Sequence, residues 1–296
     1  MSAKPRIGFI GIGFMGHGMA GRILGAGYPL TVMAHKKREL VDDLVKRGAL
    51  EAKSPADLAR ASDIVFLCVT ASPQVEELVR GLNGLKVGGR KGLIIVDCTT
   101  ANPVSTAVLA AELAPLGIAF CDAPLGGTPS NAADGTLSSM VGADQEIFET
   151  IKPVIASFAA KTVHLGPPGF GHKMKLLNNF LSMGYAAIYS EALAMGAKSG
   201  ISADVFDSVV RGGRMDCGFY QTFFTYVLKR DRNAHKFTLS NALKDARYIE
   251  AMANDAGVTN TMGAAVKNSF SAAVHAGKGE DFVPMLSDFV RAANGG

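Results

Sequence analysis

The sequence predicts an α/β first half built on a parallel sheet, followed by an all-α second half. Three observations carry this reading. Short β-branched runs alternate with helix-like stretches through the first half, the rhythm of βαβ units. Several of those runs are apolar throughout instead of alternating, as strands covered on both faces are. Beyond Val163 the strand-like runs stop, and apolar residues recur every three or four positions.

Taken in order, residues 6–10, 30–33, 63–69, 93–97 and 118–122 read as the strands, and the stretch 19–24 after the first of them reads as helical. The run Gly166-Pro167-Pro168-Gly169-Phe170-Gly171 is turn-rich punctuation, and a long helical pattern follows over 172–200. Helical spacing continues through 205–210, 220–228, 242–253 and 262–274. The expected division is therefore 1–166 and 167–296. With 48% hydrophobic and 19% charged residues, the 296-residue chain has a folded rather than a disordered composition.

Lys and Arg exceed Asp and Glu by 30 to 26, but the charges are scattered except at His35-Lys36-Lys37-Arg38. A nucleic-acid partner is not expected, because no basic stripe interleaved with aromatics is present. No window approaches the ~18 uninterrupted apolar residues of a spanning helix, so no membrane partner is expected either. Met1 to Arg6 lead straight into the first strand without an apolar signal segment, which points to a cytoplasmic protein. Cys68, Cys98, Cys121 and Cys217 form neither a CxxC pair nor a framework; they read as reduced thiols and not as zinc ligands. No metal is expected.

The first strand runs into Gly11-Ile12-Gly13-Phe14-Met15-Gly16, a G-x-G-x-x-G that opens a helix. Gly11 permits the tight turn, Gly13 lets the backbone approach a pyrophosphate, and Gly16 allows close packing of the helix, whose first amides face the anion. At the end of the second strand an acid would bind the 2′-hydroxyl of NAD. Here Val32-Met33-Ala34 lead into His35, Lys36, Lys37 and Arg38, which offer donors to a 2′-phosphate. NADP is therefore favoured, with NAD as the alternative, and a basic run that merely solvates a helix start is the structural reading.

In the long helical pattern, Lys175, Asn178, Asn179 and Ser182 fall on one stripe, while Met174, Leu176, Leu177, Phe180, Leu181 and Met183 take the rest of the circumference. That distribution predicts a largely buried helix with one polar stripe. Desolvation would lower the pKa of such a lysine towards neutrality and suit it to proton transfer, with Asn179 holding a substrate hydroxyl one turn away. Spacing alone leaves this open against a lysine that snorkels to solvent, the reading preferred for Lys173. Asp97 and Asp122, at strand ends, read as loop anchors and not as a catalytic carboxylate pair.

These residues resemble the β-hydroxyacid dehydrogenase family, which includes 3-hydroxyisobutyrate dehydrogenase and tartronate semialdehyde reductase. Four motifs match in order: the glycine loop, Asp97-Cys98-Thr99-Thr100-Ala101-Asn102-Pro103, Asp122-Ala123-Pro124-Leu125-Gly126-Gly127-Thr128-Pro129, and Gly171-x-x-x-Lys175-x-x-x-Asn179. The pair Lys244-Asp245 matches a fifth, so the resemblance covers nearly the whole chain. It implies an α/β Rossmann-type N-terminal domain with a parallel sheet, joined by a long helix to an all-α C-terminal domain. It also implies Lys175 as the proton donor or acceptor, Asn179 as its neighbour at the substrate, and Thr70, Thr100 and Lys244 at the cofactor. Thr99, Gly126, Gly127 and Thr128 would hold a small acidic substrate, and a homodimer or homotetramer is implied by analogy.

Two departures bear on substrate. Where the family has Ser-Gly-Gly, this chain has Gly126-Gly127-Thr128. The same segment, with Lys175-Leu176-Leu177-Asn178-Asn179, is similar to the sulfolactaldehyde reductase branch, which carries an arginine at the position of Gly127. The expected activity is hydride transfer between NADP(H) and a small β-hydroxy acid or its aldehyde. The rivals are reduction of an imine or a bulkier substrate, against which Lys175 speaks, and a non-catalytic NADP-binding sensor, which would need neither Lys175 nor Asn179. The aromatic cluster Phe219, Tyr220, Phe223, Phe224 and Tyr226 reads as helix core or a subunit contact before it reads as a pocket, and Arg211 or Arg214 could reach a substrate acid.

Overall fold

The computed structural model describes residues 4–35 and 38–295. The chain opens with β1 (Ile7–Ile10), α1 (Phe14–Gly25), β2 (Leu30–Met33), α2 (Glu39–Lys46), β3 (Leu50–Glu51), α3 (Pro55–Ala61) and β4 (Ile64–Leu67). It continues with α4 (Ser72–Arg80), α5 (Leu85–Gly88), β5 (Ile94–Asp97), α6 (Pro103–Leu113) and β6 (Ala119–Asp122). The sheet ends with β7 (Leu125–Gly126), α7 (Pro129–Asp134), β8 (Leu137–Gly142), α8 (Gln145–Ile155) and β9 (Ala159–Gly166).

Strands β3-β2-β1-β4-β5-β6 are parallel, in that order across the sheet. The sheet is not parallel throughout, however. β8 runs antiparallel to β6 and β7, and β9 pairs parallel to β8. The connection from Gly126 to Leu137 is shorter than the dozen or so residues that a parallel crossover needs, so β8 returns antiparallel.

The continuous apolar runs are explained by cores on both faces of the sheet. Ile7, Phe9, Ile64, Phe66, Ile94 and Val96 point into one core, where Phe66 packs edge-on against Phe158. Their neighbours Ile10, Val65, Leu67, Ile95 and Phe120 point into the other, against Leu58, Val75 and Leu109. Side chains alternate across a strand, so a strand between two cores has no polar face to show.

The chain forms two compact units, residues 1–175 and 176–296. Helix α9 (Phe170–Lys198) begins in the first and continues into the second, so its first turn belongs to the first unit. The reason is local: the amides of Gly169 and His172 bind Asp122 at the end of β6, which ties the first turn of α9 to the sheet. The second unit adds α10 (Ala203–Val210), α11 (Gly218–Lys229), α12 (Leu239–Asp255), α13 (Thr261–Ala273) and α14 (Leu286–Ala293) around a core that includes Leu176, Met183, Tyr220, Phe224, Leu243 and Phe270.

One expectation for α9 needs correction. The helix is not buried around most of its circumference: Leu176, Asn179, Met183, Ala186 and Ser190 are buried, whereas Met174, Leu177, Leu181 and Ile188 are exposed, Leu181 to 56%. Only one stripe of a helix can face a given core, and the identity of a leucine does not reveal which stripe it occupies.

Candidate active site

The carboxyl ends of the parallel strands open at one edge of the sheet. From there leave the turn Gly11–Gly16, His35 after β2, Thr70 after β4, Thr99 and Thr100 after β5, and Gly126 to Thr128 after β6 and β7. Strand order changes direction between β1 and β4, which is where ligands bind in such sheets.

The three glycines of the turn do different work. Gly11 has φ of 100°, and a Cβ there would lie 2.2 Å from the Cys68 carbonyl oxygen. A Cβ on Gly16 would lie 2.0 Å from the Gly11 carbonyl oxygen, so strand and helix can meet only without one. A Cβ on Gly13 would meet no atom within 4 Å. The amide of His17 closes the first bond of α1 on the Gly13 carbonyl (2.8 Å), and the amides of Phe14, Met15 and Gly16 therefore stand at the helix mouth without intrahelical acceptors. The first turn of α1 carries no acidic residue, and its N-cap Gly13 makes no side-chain cap. A bare helix N-terminus beside an open glycine is a cradle that fits a pyrophosphate, with half-buried Ile12 beneath it and Phe14 81% exposed beside it.

At the end of β2, Met33, Ala34 and exposed His35 offer no carboxylate; Lys36 and Lys37 lie outside the described residues. The Arg38 guanidinium binds Glu51 at 3.0 and 3.1 Å and Asp42 at 3.0 Å, so it braces β3 and the start of α2. Thr70 is exposed after β4, and Thr100 is half-buried after β5.

The residues expected at the substrate acid divide into two kinds. Thr99 is buried, and its hydroxyl accepts the Val69 amide at 3.1 Å, which holds two strand ends together. Thr128 is the N-cap of α7: its amide and hydroxyl both donate to Asn131 Oδ1, at 2.9 and 2.7 Å, in a capping box. Gly126 and Gly127 remain as backbone. Gly127 has φ of 125°, and a Cβ there would press on Leu137 at 2.8 Å, so no side chain is accommodated without strain.

Asp97 and Asp122 anchor loops. Asp97 Oδ1 accepts the Thr99 amide at 2.9 Å; Asp122 accepts the amides of Gly169 (2.5 Å) and His172 (2.6 Å). Burial pushes both carboxyls up from the ordinary aspartate value, opposed by the nearby His172 and by these hydrogen bonds. The wholly buried His172 ring touches Thr106 Oγ1 through Nδ1 (2.7 Å) and the Thr99 carbonyl through Nε2 (2.8 Å). Sequence reasoning did not single out His172, although it precedes Lys175 by one turn and extends the same polar stripe.

Lys175 is half-buried on α9, and Asn179, one turn further along, is buried and donates to Asp245 Oδ2 at 2.7 Å. Asp245 on α12 also pairs with Lys244 at 3.2 Å, and the Lys244 ammonium lies over the Tyr248 ring. Asp245 thereby orients the Asn179 amide, a role that pattern alone did not reveal. Lys173 is exposed and rests over Phe170. Tyr220, Phe223 and Phe224 are core, and Arg211 is held by Asp207 at 2.8 and 2.9 Å. Burial pushes the Cys68 thiol up to about 12 and raises those of Cys98 and Cys121 well above the ordinary thiol value, which disfavours the thiolate at all three. Among the described residues no helix is long and apolar enough to cross a membrane.

The sheet edge, the open glycine turn and the uncapped helix define a dinucleotide-binding α/β domain followed by a helical domain. Residues 6–166 match the family described as the NAD binding domain of 6-phosphogluconate dehydrogenase, and residues 169–288 match the family described as NAD-binding of NADP-dependent 3-hydroxyisobutyrate dehydrogenase. The chain belongs to the β-hydroxyacid dehydrogenase family of NAD(P)-dependent enzymes. It is 29% identical to 3-sulfolactaldehyde reductase of Escherichia coli over 98% of this chain and 97% of that one. To 2-hydroxy-3-oxopropionate reductase of E. coli it is 32% identical, over 82% and 85%. In fold it is similar to a Mycobacterium tuberculosis 3-hydroxyisobutyrate dehydrogenase structure with L-serine, with a TM-score of 0.87 and 22% identity over 97% and 99% of the two chains.

Proposed function

We propose that this protein catalyses reversible hydride transfer between NADP(H) and the hydroxyl-bearing carbon of a small β-hydroxy acid, with Lys175 as the general acid and base. The observation that carries the reading is one helix, α9, that bears a half-buried lysine and, one turn on, an asparagine oriented by a buried carboxylate. When bound, the nicotinamide supplies or takes the hydride. Lys175 gives a proton to the carbonyl oxygen during reduction and takes the hydroxyl proton during oxidation. Asp245 takes the Asn179 amide nitrogen, which turns the amide oxygen away from the carboxylate, the side on which it would accept from the substrate hydroxyl or the lysine.

Support for the acid end comes from what Thr99 and Thr128 already do. Their side chains are engaged within the fold and Gly126 is paired with Ser138 in the sheet, which leaves the backbone at Gly127 to receive the substrate's acid group. Gly127 offers no side-chain cation of the kind the sulfolactaldehyde reductase branch carries at that position, and this supports a carboxylate as the acid group. NADP is preferred because β2 ends without a carboxylate, and His35 with Lys36 supplies the donors; Thr70, Thr100 and Lys244 are proposed at the cofactor. Homo-oligomerisation and a cytoplasmic location belong to the same reading.

The test is initial rates with NADP+ and NAD+ against serine, 3-hydroxyisobutyrate, glycerate, threonate and dihydroxypropanesulfonate, and with the matching aldehydes in reverse. Turnover of a carboxylate substrate with NADP+ preferred is expected. NAD+ preference would remove the reading of His35 and Lys36; NADPH binding without turnover of any member would support a sensor.

A further inference from the structure

We propose that His172 is a positioning residue that fixes the first turn of α9, and with it Lys175, against the loop after β5. The inference rests on Lys175 being the proton-transfer group. Lys175 lies three residues beyond His172, adjacent on the helix surface, so a displacement of one displaces the other.

Two sets of bonds hold this turn. Main-chain amides of Gly169 and His172 converge on the two oxygens of Asp122 at the end of β6, a carboxylate against a helix N-terminus. The His172 ring supplies the second set. Its Nε2 donates to the Thr99 carbonyl, which can only accept, and its Nδ1 meets the hydroxyl of Thr106 on α6. The ring therefore ties α9 to the backbone of the residue before Thr100 and to a second helix. It also stands 3.7 Å from Asp122 Oδ2 and 3.9 Å from Asp97 Oδ2, and the latter oxygen is buried without a hydrogen-bond partner among the described residues. A side chain that only filled volume would not need donors aimed at a loop carbonyl.

The experiment uses the full chain as wild type, His172→Leu and His172→Gln. Amide hydrogen exchange is followed over residues 99–106 and 169–176, together with kcat, KM and NADPH affinity. Leu keeps the apolar packing and loses both ring bonds; Gln keeps a donor for the Thr99 carbonyl. The Leu variant is expected to exchange faster in both segments together and to lose about ten- to a hundredfold in kcat, the scale of a small misplacement, with a smaller loss of NADPH affinity through Thr100, and Gln is expected to recover most of these losses. A folded Leu variant with wild-type exchange and kcat, or a Gln variant no better than Leu, would overturn the proposal. Should Leu fail to fold, Thr106→Val removes one of the two ring bonds, and unchanged exchange over 169–176 in that variant is equally fatal. If wild type turns over no hydroxy acid, the proposed function fails while the exchange data still decide the role of His172.

Discussion

The glycine turn after β1 and the first turn of α9 both prepare a place for a ligand, and they do it with opposite materials. The glycine turn is backbone: its geometry depends on Cβ atoms that are absent at Gly11 and Gly16, and its donors are main-chain amides. The start of α9 is held by side chains, Asp122, Thr106 and His172, whose polar atoms are buried and satisfied by partners far away in sequence. A backbone site tolerates almost no change of residue at its few glycines, whereas a side-chain site distributes its precision over several separate bonds.

Five substitutions sharpen that contrast. The largest effect is expected on turnover: Lys175→Ala should lose ~10²–10⁴-fold in kcat while binding NADPH as wild type does, as followed by cofactor fluorescence. Next come the glycines. Gly11→Ala forces an L-residue to φ of 100° against the Cys68 carbonyl and should cost about 1–3 kcal/mol or more in chemical denaturation. Gly13→Ala, which meets no neighbour, should melt as wild type and lose affinity for NADPH; equal destabilisation by both would show that Gly13 too is a structural glycine.

Thr128→Val removes the capping box of α7 and should lower stability by about 1 kcal/mol with KM for the acid substrate unchanged. A large rise in KM would instead return the hydroxyl to the substrate. The smallest effect lies at Asp63, far from either site. Hydrogen bonds from Arg6, with Arg90 alongside, hold its carboxyl down to about 2 against the ordinary 3.8. A depressed carboxyl stabilises the fold above its unfolded pKa and loses that contribution as pH falls through about 2. Asp63→Asn should therefore lower the melting temperature slightly at neutral pH and converge with wild type in strong acid.

The same contrast explains what could be read in advance. Five of the six strands in the parallel run, all but the short exposed β3, were legible because burial on both faces removes the polar residues from them, and the glycine turn because no other residue satisfies its geometry. β8 and β9 were not, since Ser138 and Ser139 interrupt the one and exposed Lys161 marks the other as an edge. Lys175 and Asn179 stood out by helical spacing. Their supports did not, because His172 meets Thr106 across 66 positions and Thr99 across 73, and Asn179 meets Asp245 across 66. Thr128 carries two readings for a related reason: a threonine followed by proline and, three residues on, asparagine is also a helix cap, and the structure shows its hydroxyl engaged with Asn131.

The most direct test of the central claim is the pH dependence of single-turnover hydride transfer, measured in both directions with wild type and Lys175→Ala. Reduction needs the lysine protonated and oxidation needs it deprotonated. The account predicts mirror-image profiles for wild type, the reductive rate falling and the oxidative rate rising with pH, and flat profiles for the variant. Wild-type profiles that run in the same direction, or mirror images that survive in Lys175→Ala, would contradict it.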